Sequence, residues 1–168
     1  MSEITNEYLL SRLRAHFGEF IYNESTPYEL ATIVLHKDKI KEVITWLKND
    51  PELKFQFLTD VCGIHFPEAT GAELGVIYHL HSLTNNVRLR IKCFMSLEQP
   101  SIASISDIFP AANWQERETF DFYGIQFEGH PDLRRILNVD EMDYFPLRKE
   151  YPLEDGTRTD KEDQYFGR

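Results

Sequence analysis

Glu118 and Asp121 lie three residues apart in the run Glu116-Arg117-Glu118-Thr119-Phe120-Asp121-Phe122-Tyr123-Gly124. On a helix that spacing places two carboxyl groups on one face, and with His130 a short way on they form a candidate acid/base set. Arg117, Arg134 and Arg135 are equally close in sequence, so the acids are better read as neutralised partners in an ion-paired structure. A second candidate is His79 and His81, two apart on a predicted strand and therefore on one face, the geometry of a two-histidine metal site. No third ligand is fixed by spacing, and Tyr78, Leu80 and Leu83 mark an ordinary half-buried strand. His65, beside Phe66-Pro67, is no better placed. Cys62 and Cys93 read as buried small hydrophobes. Two thiols are too few for an iron–sulfur cluster or most structural zinc sites. With no glycine-rich phosphate loop, nucleophile elbow or metalloprotease motif, the residues predict no catalytic group, no metal site and no cofactor bound to this chain.

The elements around the first run follow from local rules. Asn113 and Glu116 have capping-box spacing, which starts a helix at Asn113 and puts Glu116 and Glu118 near its positive end. Trp114, Arg117 and Asp121 share a face, Phe120 and Tyr123 lie a turn apart, and Gly124 supplies a left-handed stop. A short strand-like Ile125-Gln126-Phe127 leads to a turn at Gly129 and His130. Pro131 can open a new helical turn, with Leu133, Ile136 and Leu137 inward and Arg134 and Arg135 projecting. Paired acids and bases among large apolar residues suit a contact with another protein better than a small-molecule pocket.

Upstream, Leu9, Leu10, Leu13 and Phe17 make a helical stripe that Gly18 ends. Phe20–Tyr22 and Leu30–Leu35 flank Ser25-Thr26-Pro27 as a hairpin, and Ile40, Val43, Ile44 and Leu47 give a second helix closed by Asn49-Asp50-Pro51. Phe55–Ile64, Val76–Leu83 and Val87–Met95 read as strands, with a hairpin turn at Asn85-Asn86. Arg88, Arg90 and Lys92 form a basic stripe on the last strand, suited to cross-strand or intersubunit ion pairs. This order predicts an α+β fold, a mostly antiparallel sheet with helices packed on one face. The domain runs over 1–149, and the charged stretch 150–168 is an extended C-terminal tail ordered by a neighbour.

Composition sets outer limits. The 168 residues suffice for one compact domain, and 42% hydrophobic content supports a core. A formal net charge of −10 disfavours nucleic acid and anionic lipid as ligands. The sequence opens on no charged-then-apolar leader, and no apolar run approaches the ~20 residues that span a bilayer. A reduced, cytosolic setting is expected.

The run Trp114 to Leu137, with Gly129-His130-Pro131-Asp132-Leu133-Arg134-Arg135-Ile136-Leu137, and then Pro146-Leu147-Arg148-Lys149-Glu150-Tyr151-Pro152-Leu153, resembles the signature of the C-type subunit of NADH-quinone oxidoreductase, respiratory complex I. Upstream the resemblance takes in Pro100-Ser101-Ile102 and the strand Arg88 to Lys92. One departure is visible: the family usually has Gly-His before Pro-Leu-Arg-Lys, where this chain has Tyr144-Phe145. The resemblance implies a cofactor-free component of the peripheral arm of a proton-translocating enzyme. Electrons would pass from NADH through FMN and iron–sulfur clusters on other subunits to quinone. It implies the D-type and B-type subunits of that arm as the chief partners, a place on the cytoplasmic face of the bacterial membrane, and an isolated chain without catalysis. The signature residues Trp114, Glu116, Arg117, Glu118, Asp121, Gly124, Gly129, His130, Pro131, Arg134, Arg135, Pro146, Arg148 and Lys149 are then expected at the interface with those partners, with Arg117 and Glu118 as a desolvated pair. The alternatives are the equivalent component of a photosynthetic-membrane dehydrogenase or membrane-bound hydrogenase, and a stand-alone enzyme using Glu118, Asp121 and His130.

Overall fold

The computed structural model describes residues 4–151. Helix α1 (Asn6–Phe17) starts where the Thr5 hydroxyl accepts from the Tyr8 amide, and it buries Leu9, Leu10, Leu13 and Phe17. Strands β1 (Ile21–Ser25) and β2 (Ala31–Leu35) form the expected antiparallel hairpin. Its connection is less ordinary than the sequence implies: Tyr28 and Glu29 both take left-handed backbone, with φ of 53° and 62°. Helix α2 (Ile40–Asn49) buries Ile40, Val43, Ile44 and Leu47. Asp50 finishes it, accepting from the amides of Glu52 and Leu53 while pairing with Arg12 at 2.7 Å.

Strands β3 (Phe57–His65), β4 (Leu74–Ser82) and β5 (Val87–Met95) complete a five-stranded sheet in the order β1-β2-β5-β4-β3. Asn85 ties the β4–β5 turn down by donating to the carbonyls of Glu52 and Leu53. Every contact in this sheet is antiparallel except β2 with β5. That parallel junction joins two locally formed units, the first hairpin and the three-stranded meander, and no local pattern announces it.

Alternation along β5 decides which face is covered. Val87, Leu89, Ile91, Cys93 and Met95 are buried, while Arg88, Arg90, Lys92 and Phe94 between them are not. Through the β4 register, Leu74, Val76, Tyr78 and Leu80 join the buried side. One face therefore carries the core against the helices, each buried aliphatic contributing roughly 1.5–3 kcal/mol, and the other stays open. Burial pushes the Cys93 thiol up and raises that of the half-buried Cys62 to about 11. Cys93 is the buried small hydrophobe the sequence suggests, whereas Cys62 is only half-buried.

A second, smaller layer follows. Strands β6 (Ser101–Ala103) and β7 (Gln126–Glu128) pair in parallel around helix α3 (Ala112–Tyr123). Helix α3 lies against β3 closely enough that a Cβ on Gly63 would overlap the Tyr123 ring. Residues 129–151 then run back over the body with no helix or strand. The helical turn expected at Pro131 does not form: Leu133 and Ile136 are half-buried and Leu137 is 66% exposed. Of the stretch 150–168, expected as an extended tail, Glu150 and Tyr151 are described and 152–168 lie outside the described residues.

Candidate functional site

The signature residues converge on α3 and the irregular segment after it, but in roles their spacing did not suggest. Helix α3 starts at Ala112 behind Ala111, which makes no side-chain cap. The capping box expected at Asn113 and Glu116 is thus absent, because Glu116 turns into the chain. Its fully buried carboxyl accepts from the Ser104 hydroxyl at 2.6 Å and the Ile105 amide at 2.8 Å. Those donors leave β6 with no strand partner, so Glu116 satisfies them and fixes β6 to α3. Burial raises the Glu116 carboxyl to about 7, with the two donors pulling the other way.

Asp121 is also fully buried and organises the return segment. Its Oδ2 accepts from the amides of Ile136, Leu137 and Asn138 at 3.1, 2.8 and 2.9 Å, and its Oδ1 from Arg135 Nη1 at 2.7 Å. Burial would push its carboxyl up, but the amides of Asn138 and Leu137 and the Arg135 guanidinium outweigh it and hold the group well below the usual carboxylate range. Spent on Asp121, the amides of Ile136, Leu137 and Asn138 are not available to carry a helix on from Pro131. Arg135 is the most heavily used cation. Beyond Asp121 it donates to the carbonyls of Met142 and Tyr144, with its side chain 10% exposed.

Arg117 and Glu118, expected as a desolvated pair at an interface, do not pair with each other within the chain. Arg117 is 7% exposed within its own chain, donating to the carbonyls of Arg134 and Arg135 at 3.1 and 2.9 Å and lying 5.1 Å from the Trp114 ring. Helical geometry sends neighbours in different directions, and Glu118 is exposed with no ion pair among the described residues. Arg134 points outward to Asp132 at 3.0 Å.

The second signature block closes the same network. Gly124 is left-handed at φ 76°, as predicted, and a Cβ there would meet Phe145 at 2.5 Å and Arg148 at 2.7 Å. Phe145 packs beside both Arg135 and Arg148, at 5.2 and 4.6 Å from their guanidinium carbons. Arg148 donates to the Tyr123 carbonyl at 2.7 Å, and burial lowers its pKa. Pro146 is half-buried in the turn before it. The Lys149 amide donates to His65 Nδ1 at 2.9 Å across a separation of 84 residues, and Lys149 Nζ lies over the Phe66 ring. Gly129 turns the chain with φ 82°, Pro131 is exposed, and His130 links both ends of the helix–turn. Its Nδ1 accepts from the Asp132 amide and its Nε2 donates to the Asn113 carbonyl, a neutral tautomer set by those two partners.

His65, Ser104 and Phe145 are working members of the site that sequence reasoning missed. Their partners lie far off along the chain, and nothing local marks them. The acid/base set of Glu118, Asp121 and His130 is not assembled: one member is exposed, one is locked as a buried carboxylate, and one spends both ring nitrogens on backbone. On β4, His79 Nε2 accepts from Arg90 Nε at 2.8 Å, so of the expected cross-strand or intersubunit ion pairs the cross-strand partner of Arg90 is an imidazole. Burial pushes His79 below its ordinary pKa, consistent with a neutral acceptor. Among the described residues no group of three or more His, Cys, Asp or Glu could hold a metal, and no helix is long and apolar enough to cross a membrane. The arrangement is a set of internal pins. Its charges satisfy the backbone of an irregular segment, leaving Trp114, Leu137, Val139 and Leu147 exposed on the outside.

Residues 33–157 match the model of the family described as respiratory-chain NADH dehydrogenase, 30 Kd subunit. A C-type subunit of NADH-quinone oxidoreductase from Rhizobium meliloti (strain 1021), the second of its kind there, is 41% identical over 145 residues, covering 86% of this chain and 78% of that protein. The C-type subunit from Mycolicibacterium gilvum (strain PYR-GCK) is 43% identical over 150 residues, or 86% of this chain and 66% of the relative. Among solved structures, the trypsin-resistant fragment (1-134) of Nqo5 has a TM-score of 0.65 at 30% identity, covering 76% of this chain and 98% of the fragment. One protein of the membrane-bound sulfane sulfur reductase, an archaeal respiratory membrane complex, has a TM-score of 0.72 at 22% identity, covering 88% and 85%, and shares the fold. With these matches spanning most of the chain, the protein belongs to the family of C-type, 30 Kd subunits of NADH-quinone oxidoreductase.

Proposed function

We propose that this chain is a non-catalytic, cofactor-free brace in the peripheral arm of a proton-translocating NADH-quinone oxidoreductase. It holds the D-type subunit, and through it the B-type subunit, on the cytoplasmic face of the membrane. The observation that carries this reading is the fate of the signature charges. Asp121, Arg117, Arg135 and Arg148 are all directed inward to fix residues 129–151, and apolar side chains are left on the outer side. A preformed, rigid apolar surface is suited to docking, because little ordering entropy is lost on contact. The brace acts through position: electron transfer from clusters on other subunits to quinone depends on donor–acceptor placement, which a stiff clamp preserves. The reading of no bound cofactor rests on the two neutral, separated thiols and on the absence of any nucleotide loop in the sequence.

The test is affinity purification of the tagged full chain from its own cells, with identification of the proteins that co-purify. The B-type and D-type subunits are expected, together with those that bear flavin and clusters. Co-purification with hydrogenase proteins instead, or a monomeric chain with activity of its own, would sink the proposal.

A further inference from the structure

The open face of the sheet has chemistry that the signature network does not use. Arg88, Arg90 and Lys92 alternate on it along β5, next to His81 and His79 on β4 and Val34 on β2. In a chain of net charge −10 these cations have no carboxylate within ion-pair distance among the described residues. The acids closest by register and lining are Asp60, which faces His79 at 3.7 Å, and Glu29. Arg90 is oriented rather than neutralised, since its Nε is held by a neutral imidazole and its terminal nitrogens make no hydrogen bond among the described residues. At the end of the stripe lies a cavity of about 820 Å³, lined in part by Tyr28, Asn86, Arg88 and Arg90. Tyr28 is 100% exposed there on left-handed backbone, and the Asn6 side chain clamps the turn through the Glu29 carbonyl at 2.6 Å. A strained turn that holds an aromatic in solvent, and is itself tied down, indicates a contact surface more than a floppy loop.

We infer that this open face is a second docking surface, separate from the α3 surface, and that its occupant is an acidic extended segment of a neighbouring subunit. This rests on the brace reading. Unpaired cations at strand spacing match carboxylates on every second residue of an extended chain, and the Tyr28 ring supplies an apolar stop at one end. The acidic character of the rest of the chain disfavours nucleic acid and anionic lipid on the same face.

The experiment uses the purified complex and the free full-length chain side by side. Lys92 is probed with an acetylating reagent, and in parallel with a carbodiimide, which joins its amine directly to a touching carboxylate. We expect acetylation of Lys92 to fall at least tenfold on assembly and the cross-link to map to an Asp or Glu of another subunit. Arg88→Glu should weaken retention of the chain tenfold or more at low salt, with the deficit shrinking at high salt, while its melting temperature alone is unchanged. Should that variant not fold, the Lys92 measurements decide alone. A cross-link to this chain's own 152–168 or to a second copy, or an intact complex with Lys92 fully reactive, overturns the inference and leaves the brace reading standing. Absence of any NADH-quinone oxidoreductase subunit from the preparation overturns both.

Discussion

Replacing Asp121 by Asn tests the central claim that a buried carboxylate, not local propensity, shapes residues 129–151. The carboxylate accepts three backbone amides through Oδ2 and the Arg135 guanidinium through Oδ1. An asparagine keeps the shape but presents an NH₂ to donors on one side and removes the charge facing Arg135, whose side chain is 10% exposed. Breaking a buried pair by removing one partner costs about 3–5 kcal/mol, because the survivor is left uncompensated. Exposed pairs cost about 0–1 kcal/mol, so the two accounts are well separated. The segment has no helix or strand of its own, so it should open locally before the sheet does. Hydrogen exchange read by mass spectrometry should show protection of Ile136–Asn138 falling by roughly 10²–10⁴, with β4 and β5 nearly unchanged. Acid should reproduce the effect in the natural chain. The folded carboxyl lies below its unfolded value, so the stabilisation is complete above about pH 4 and is lost only as pH falls further, through the depressed folded pKa. Unchanged exchange at Ile136–Asn138 in the variant, or a uniform loss across the whole sheet, would refute the argument.

Two other outcomes follow from the packing. Glu116 has the opposite sign to Asp121: its folded pKa of about 7 is above the unfolded value, so stability is greatest below about pH 4.5 and declines as pH rises through 7. Glu116→Gln should flatten that part of the stability–pH curve, and denaturant titrations at several pH values would detect it; an unaltered slope contradicts the assignment. Gly63→Ala should cost about 1–3 kcal/mol, because its methyl would overlap the Tyr123 ring and push α3 off β3. A drop in melting temperature with loss of contact between α3 and β3 is expected, and a neutral substitution would show that the helix can shift freely.

Elements whose rules are local were legible in the order of residues alone. The stripes of Leu9, Leu10, Leu13 and Phe17 and of Ile40, Val43, Ile44 and Leu47 are helical by period, and both helices end where predicted. Alternation along Val87–Met95 located β5 to the residue, and Gly124 was legible as a left-handed stop because few other residues take that backbone conformation cheaply. The signature itself was legible as a family resemblance, and with it the expectation of a role inside a larger complex. What the signature residues do was not legible. Asn113 and Glu116 have the spacing of a cap, yet Glu116 is drawn inward by the unpartnered Ile105 amide. Arg117 and Glu118 are neighbours, yet one is buried and the other exposed. His65 receives the Lys149 amide only because β3 and the return segment are brought together. The parallel β2–β5 junction and the amides gathered on Asp121 belong to the same class. Periodicity reports which side of its own element a residue occupies, whereas the partner of a buried charge is set by which distant backbone groups the packing leaves unsatisfied. That choice is made only when the whole chain packs, and here it turns Glu116, Arg117, Asp121 and Arg135 inward while Glu118 and Arg134 stay outside.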